Sequence, residues 1–155
     1  MNMPNRTRLC AAAAVAAVLL TGPLSLSAQA ADTPSASSVT AAQQSRAEVR
    51  VNSFFRDYRQ AVLHKGGSTP AQVRARYLTP DLDKRLDAWA LKHDADPVFQ
   101  AQNVPASWTT RYEGSGAGHS TVVLTEHWSG GRSQDVWYSV RLSDLTINDL
   151  KAPPS

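Results

Sequence analysis

Cysteine is all but missing from this chain: its 155 residues contain one, Cys10. That residue lies in an apolar run, Leu9 to Leu20, with the character of a removable leader. Without the run there is no disulfide, no thiol nucleophile and no thiolate metal ligand. Stability then rests on an ordinary hydrophobic core, which a domain of this size can build. Long hydrophobic runs are missing too. A bilayer-spanning helix needs roughly 20 apolar residues, so Leu9–Leu20 is too short and no stable membrane anchor is expected. No Gly-x-Ser-x-Gly elbow is present, which leaves a serine hydrolase without support.

Charge of one sign is scarce as well. The formal charge is +3, and a leader carrying Arg6 and Arg8 takes it down to +1. Nucleic-acid binding wants a basic stripe with interleaved aromatics. Arg46, Arg50, Arg56, Arg59, Lys65, Arg74 and Arg76 are instead mixed with Glu48 and Asp57. That is the pattern of a solvated face, and no nucleic-acid partner is expected.

What is present begins with an export signal. Arg6 and Arg8 form a short basic stretch without acids, and Thr21-Gly22-Pro23 breaks the apolar run. Ala28-Gln29-Ala30 then matches the small-x-small pattern that signal peptidase reads. Residues 1–30 are read as a secretory signal cut after Ala30, which makes the protein secreted and extracellular; a buried core helix is the alternative. Arg6-Thr7-Arg8 is not a twin-arginine pair, which favours the general secretory route. Cys10 lies at the start of the run, whereas a lipoprotein cysteine would lie at the cut.

Residues 31–42 are rich in Ser, Thr and Ala and are expected to form a flexible leader. From residue 43 the pattern changes. Ala47, Val51, Phe54, Phe55, Tyr58 and Val62 recur at helical spacing, predicting a helix from Gln43 to His64 stopped by Gly66-Gly67. Thr69-Pro70 and Thr79-Pro80 repeat one device, a threonine cap followed by proline at the first helical position. They predict helices over Pro70–Tyr77 and Pro80–His93. Asp94-Ala95-Asp96-Pro97 stops the latter.

From Val104 the period becomes two. Trp108, Thr110 and Tyr112 alternate with Thr109 and Arg111, and Gly114, Gly116 and Gly118 mark a turn. His119–Trp128 is a β-branched strand, Ser129–Arg132 a hairpin loop, and Ser133–Leu142 the returning strand. A last strand covers Leu145–Leu150. Three helices followed by about four antiparallel strands read as α+β, with the helices packed on one face of a curved sheet.

Several phrases carry a resemblance: Val51-Asn52-Ser53-Phe54-Phe55-Arg56-Asp57-Tyr58, Tyr77-Leu78-Thr79-Pro80-Asp81-Leu82, Asp94-Ala95-Asp96-Pro97-Val98-Phe99-Gln100-Ala101-Gln102, and Val140-Arg141-Leu142 with Leu145-Thr146-Ile147-Asn148-Asp149-Leu150. Over most of residues 47–150 the chain resembles the nuclear-transport-factor-2-like superfamily, the cone-shaped α+β fold. Within it, the chain is similar to an uncharacterised family of small exported bacterial domains. It departs from that family's pattern at Asn103, where an acid is expected, and in its short last hairpin. The resemblance implies one domain over 43–151 with a pocket between helices and sheet. It implies no activity, because such folds host enzymes and binders alike.

The sharpest candidate for chemistry is Glu126 with Asp135. A four-residue hairpin loop puts 128 opposite 133 and therefore 126 opposite 135. Facing carboxylates share a proton and one pKa rises, the raw material of acid–base catalysis; a solvent-exposed pair or another register is the alternative. His119 and His127 share a strand face but lie roughly 27 Å apart along it, so they cannot chelate one metal. His64 and His93 fit simple helix-end caps. Asp94 and Asp96 could ligate a hard cation, but Pro97 and Val98 break the calcium-loop pattern, and capping with turn anchoring is favoured. Gly114-Ser115-Gly116-Ala117-Gly118 has no following helix to make it a phosphate loop. No metal and no cofactor is expected.

The aromatics suggest binding. On the same register Trp137 lies opposite Leu124, on one face with Glu126 and Trp128. Val123, Val136, Tyr138 and Val140 take the other. An exposed apolar face would suit a partner or a homodimer through the sheet; the alternative is that Trp89, Trp108, Trp128 and Trp137 simply fill the core. Two function classes follow. One, which is favoured, is a non-catalytic binding module for a small ligand, a cell-wall fragment or a secreted or cell-wall protein. It would use Tyr58, Asp94, Asp96, Gln102, Trp108, Trp128 and Trp137. The other is a small enzyme working through Tyr58, Tyr112, Glu126 and Asp135. A pocket carboxylate with a pKa above about 6 would favour the enzyme.

Overall fold

Helices and strands do not mix along this chain, because the hydrophobic period switches from helical to alternating once, near residue 104. A computed structural model describes residues 36–151. The expected secretory signal and residues 31–35 of the expected leader lie outside the described residues. The order is α1 (Ala36–Val62), α2 (Pro70–Tyr77), α3 (Pro80–His93), then β1 (Ser107–Gly116), β2 (His119–His127), β3 (Ser133–Arg141) and β4 (Ile147–Lys151). The protein is α+β, with three helices and an open antiparallel sheet ordered β1-β2-β3-β4. No helix among the described residues is long and apolar enough to cross a membrane.

Helix α1 begins seven residues before Gln43, so Ala36–Ala42 is helical and not a flexible leader. Past Pro34 the stretch has no glycine or proline, and extending an already packed helix costs little. Its end also differs from expectation. His64 takes a left-handed conformation (φ 54°), with Lys65 N–H donating to Gln60 C=O and His64 N–H to Ala61 C=O. This is a Schellman stop that precedes Gly66-Gly67 and uses a histidine where glycine is usual. The two Thr-Pro devices work as read. Thr69 accepts from Gln72 N–H, the Gln72 side chain answers on Thr69 N–H, and Thr79 accepts from Leu82 N–H.

Ala117 and Gly118 both have positive φ, 50° and 79°, as a two-residue primed hairpin turn requires. Gly114 and Gly116 therefore belong to β1, not to the turn. The β2–β3 connection is one residue longer than expected. Gly130 and Gly131 are both left-handed, Trp128 N–H donates to Arg132 C=O, and pairing starts at His127↔Ser133. A one-residue slip moves every partner to the other face. Val123, not Leu124, therefore lies opposite Trp137, and Gln134, not Asp135, opposite Glu126.

One sheet face carries Ser120, Val122, Leu124 and Glu126 with Val136, Tyr138 and Val140, all buried. Helix α1 covers it with Ala47, Val51, Phe54, Phe55 and Tyr58, and Phe54 meets Tyr138 edge-on at 6.1 Å. The other face is mixed, with Trp137 half-buried beside Val123. Val123 is buried there, but Thr109, Arg111, Thr121, Thr125, Asp135 and Ser139 surround it.

Candidate functional site

The alternation of β2 forces one charged residue type onto the core face. Glu126 follows Val122 and Leu124 at period two and is 0% exposed. Neither of its carboxyl oxygens has a hydrogen-bond partner among the described residues. The Tyr138 hydroxyl and the Ser120 hydroxyl, on the same face, are likewise buried and unpartnered. Burial pushes the Glu126 carboxyl up to about 9, the Asp96 charge adds to the shift, and Arg132 opposes it. A buried acid with no hydrogen-bond or ion-pair partner among the described residues holds its proton because ionising it in an apolar surround is costly. Burial, then Glu126, Asp96 and Tyr58, raise Tyr138 well above the ordinary tyrosine range. Glu126, Tyr138, Tyr58 and Asp96 thus sense one another across the core.

Asp96 joins this interior to the surface. It follows the end of α3, where Asp94 is the left-handed cap (φ 49°). Its Oδ1 accepts the N–H groups of Val98 and Phe99, and its Oδ2 accepts the Tyr58 hydroxyl at 3.0 Å. Burial and the Asp96 contact raise Tyr58. Asp96 and Ala101 bridge the two ends of this segment, and Gln100 is left-handed (φ 48°). Residues 94–102 therefore form a strap whose Val98 and Phe99 are fully buried. Phe99 packs edge-on against Phe55 and Tyr58, both at 5.4 Å. On the strap's outer side, Leu91, Asp94, Ala95, Asp96 and Gln102 line a cleft of about 490 Å³.

Glu126 and Asp135 are not brought together. Asp135 pairs with Thr125 on the opposite sheet face. A hydrogen bond from Thr125, and then Arg111, hold its carboxyl below the usual range. The paired-carboxylate expectation fails because the hairpin connection has five residues, Trp128 to Arg132, where the sequence suggests four. Tyr112 is half-buried, opposite Val122. Gln102 reaches only the Asp94 carbonyl, at 3.4 Å.

The tryptophans divide. Trp108 packs on Phe55 at 5.1 Å and donates to Asn52. Trp128 is buried, donates to the Asn103 carbonyl and lies under Arg132. Trp137 is half-buried on the outer face, and Trp89 stacks on His93 at 4.2 Å. His93 also contacts the Trp89 carbonyl through Nδ1. Among the described residues no cluster of three or more His, Cys, Asp or Glu could hold a metal.

Tyr138 and Ser120 were not singled out from the sequence. The signal was there: Ser120-x-Val122-x-Leu124-x-Glu126 puts all four on one face, and a five-residue connection puts Tyr138 on that face too.

No family model matches the chain, and no curated protein matches it. Among solved structures, the fold is similar to a crystal structure of a protein of unknown function from Bacteroides thetaiotaomicron. The identity is 18% and the TM-score 0.60, over 74% of this chain and 95% of that one. At that identity the likeness concerns the fold alone.

Proposed function

We propose that the protein is a secreted, non-catalytic binding module of the nuclear-transport-factor-2-like kind, holding a small uncharged ligand between its helices and a curved sheet. The observation that carries this reading is the set of unpartnered atoms on the inner sheet face: both Glu126 oxygens, the Tyr138 hydroxyl and the Ser120 hydroxyl. Each buried polar group left unpaired costs about 1–3 kcal/mol. A ligand with matching donors and acceptors recovers that cost on binding. The walls around these atoms are largely apolar, with Trp108 paired across from Glu126 and Phe54 edge-on to Tyr138, and Glu126 is neutral, so a charged ligand would lose hydration without gaining a close counter-charge. Entry requires the strap to lift, and the Asp96–Tyr58 hydrogen bond is its latch.

A second reading, a small enzyme, is favoured by one observation: Glu126 is pushed up to about 9. That meets the criterion for an enzyme set above, but about 9 lies beyond the near-neutral values at which a general acid works best, so the binding reading stands first. Asp135 has no part in the enzyme reading.

A protein-observed NMR screen of small neutral polar compounds tests the proposal. The expected hit perturbs the signals of Val122, Leu124 and Tyr138 and binds at least tenfold more weakly to Glu126→Leu. Absence of any such hit, with Glu126→Leu and Tyr138→Phe both raising stability, would mark the cluster as a tolerated defect. Turnover that disappears in Glu126→Gln while binding persists would favour the enzyme.

A further inference from the structure

The sheet face turned away from the helices holds a second feature, set by register. Three rows of residues cross it. The first is Arg111–Val123–Trp137–Lys151, the second Gly114–Thr121–Ser139–Asp149, and the third Gly116–His119–Arg141. The middle row has no side chain larger than aspartate. A β-carbon added at Gly114 or Gly116 would meet nothing within 4 Å. The β-bulge between Tyr112 and Gly114 leaves Glu113 as the extra residue beside this row. The result is a cleft of about 630 Å³, lined by Glu113, His119, Thr121, Trp137, Ser139 and Asp149 among others. Its size falls in the range of small-molecule sites.

The lining defines a ligand class. Trp137 supplies one half-buried aromatic surface, and its indole N–H has no partner among the described residues; a buried indole N–H normally finds one. Thr121 and Ser139 supply hydroxyls that donate and accept. Glu113 and Asp149 supply carboxylate acceptors whose charge is already met from outside the cleft. Arg111 lies 3.4 Å from Glu113, and Arg85 lies 3.0 Å from Asp149. Lys151 also lines the cleft, so its formal charges are mixed and call for neither a cation nor an anion, while its acids remain strong acceptors. An extended peptide laid across this face gains no ladder from β2 and β3, each paired on both sides, and one added at an edge would lie beside the trough and not in it. A lipid tail would leave the hydroxyls and carboxylates unpaired.

The remaining match is a molecule with an apolar C–H face and a rim of hydroxyls. We propose that this outer cleft binds a saccharide, an uncharged hexose-type ring laid against Trp137 with its hydroxyls on Thr121, Ser139, Asp149 and Glu113. The site is separate from the interior cluster and does not depend on it.

The test uses the full chain, with cellohexaose and chitohexaose as soluble probes and purified insoluble peptidoglycan as the polymer. The expected result in ¹H–¹⁵N spectra is saturable shifts at Thr121, Trp137 and Ser139 with at least one soluble probe, or co-sedimentation with the polymer. Polymer binding alone would place the natural source in the cell wall, and soluble binding alone in free oligosaccharide. Trp137→Ala should weaken binding at least tenfold. Gly114→Leu fills the trough from a position with open space above it, so it should fold normally and abolish binding. Glu126→Gln should leave binding unchanged, which separates this site from the interior one. The proposal is overturned if millimolar probe gives no shifts and the polymer pulls down no protein. It is equally overturned if a folded Gly114→Leu binds as the parent does.

Discussion

Two residues concentrate the chemistry, and the sequence shows them unequally. Asp96 was legible. An aspartate just before proline and after a helix reads as a turn anchor, and it does accept Val98 and Phe99 N–H. Its third bond, from Tyr58, spans 38 residues and leaves no local trace. Asp96→Ala would strand all three donors at once. Asp96 is half-buried, so each bond contributes about 1 kcal/mol net, and the expected loss in chemical denaturation for the three is about 3 kcal/mol. Faster amide exchange at Val98 and Phe99 should accompany it. Loss under 1 kcal/mol with unchanged exchange would show that Phe99 packing alone holds the strap. Glu126 is legible as a residue but its partner is not. The sequence marks it as an acid in an apolar strand, but only the register shows that Tyr138 shares its face and Asp135 does not.

At the scale of elements, caps read better than connections. A threonine cap followed by proline acts through atoms within three residues, so both copies could be placed from the sequence to the residue. A connection depends on how many residues leave the ladder, and composition does not fix that number. Ser129–Arg132 looked sufficient for the β2–β3 loop; two left-handed glycines added one residue and exchanged the faces. The end of α1 shows the same limit, since Gly66-Gly67 is the obvious stop and His64 is the actual one. Left-handed backbone costs a non-glycine residue about 1–2 kcal/mol. His64→Gly should therefore raise stability by about 1 kcal/mol, with no change in the fold. A thermal melt showing a decrease would mean that the His64 ring makes compensating contacts.

Across the whole molecule, α+β with helices before strands was legible because one change of hydrophobic period divides the chain. Which sheet surface is dry was not, since that follows from the register. The charges then set how the fold responds to pH. Glu126 rises from 4.5 to about 9 on folding, so above about 4.5 the folded state keeps a proton that the unfolded chain releases. Its effect is a loss of stability of ~1.4 kcal/mol per pH unit as pH climbs from about 4.5 to 9. Asp135 and Asp144 act oppositely. The Thr125 hydroxyl and the Thr146 N–H hold them below 3.8, so their contribution is present above that pH and fades as pH falls through their lowered values. Stability should therefore peak between about pH 4 and 5. Glu126→Gln should flatten the alkaline side in denaturant titrations at several pH values.

A carboxylic acid kept neutral inside the fold links the interior cluster to both stability and binding. Following the Glu126 side-chain carboxyl carbon by NMR from pH 4 to 11 measures that directly. The expected midpoint is near 9, with Tyr138 signals moving in step. A midpoint near 4.5 would mean the carboxylate reaches solvent, and the interior binding position would go with it.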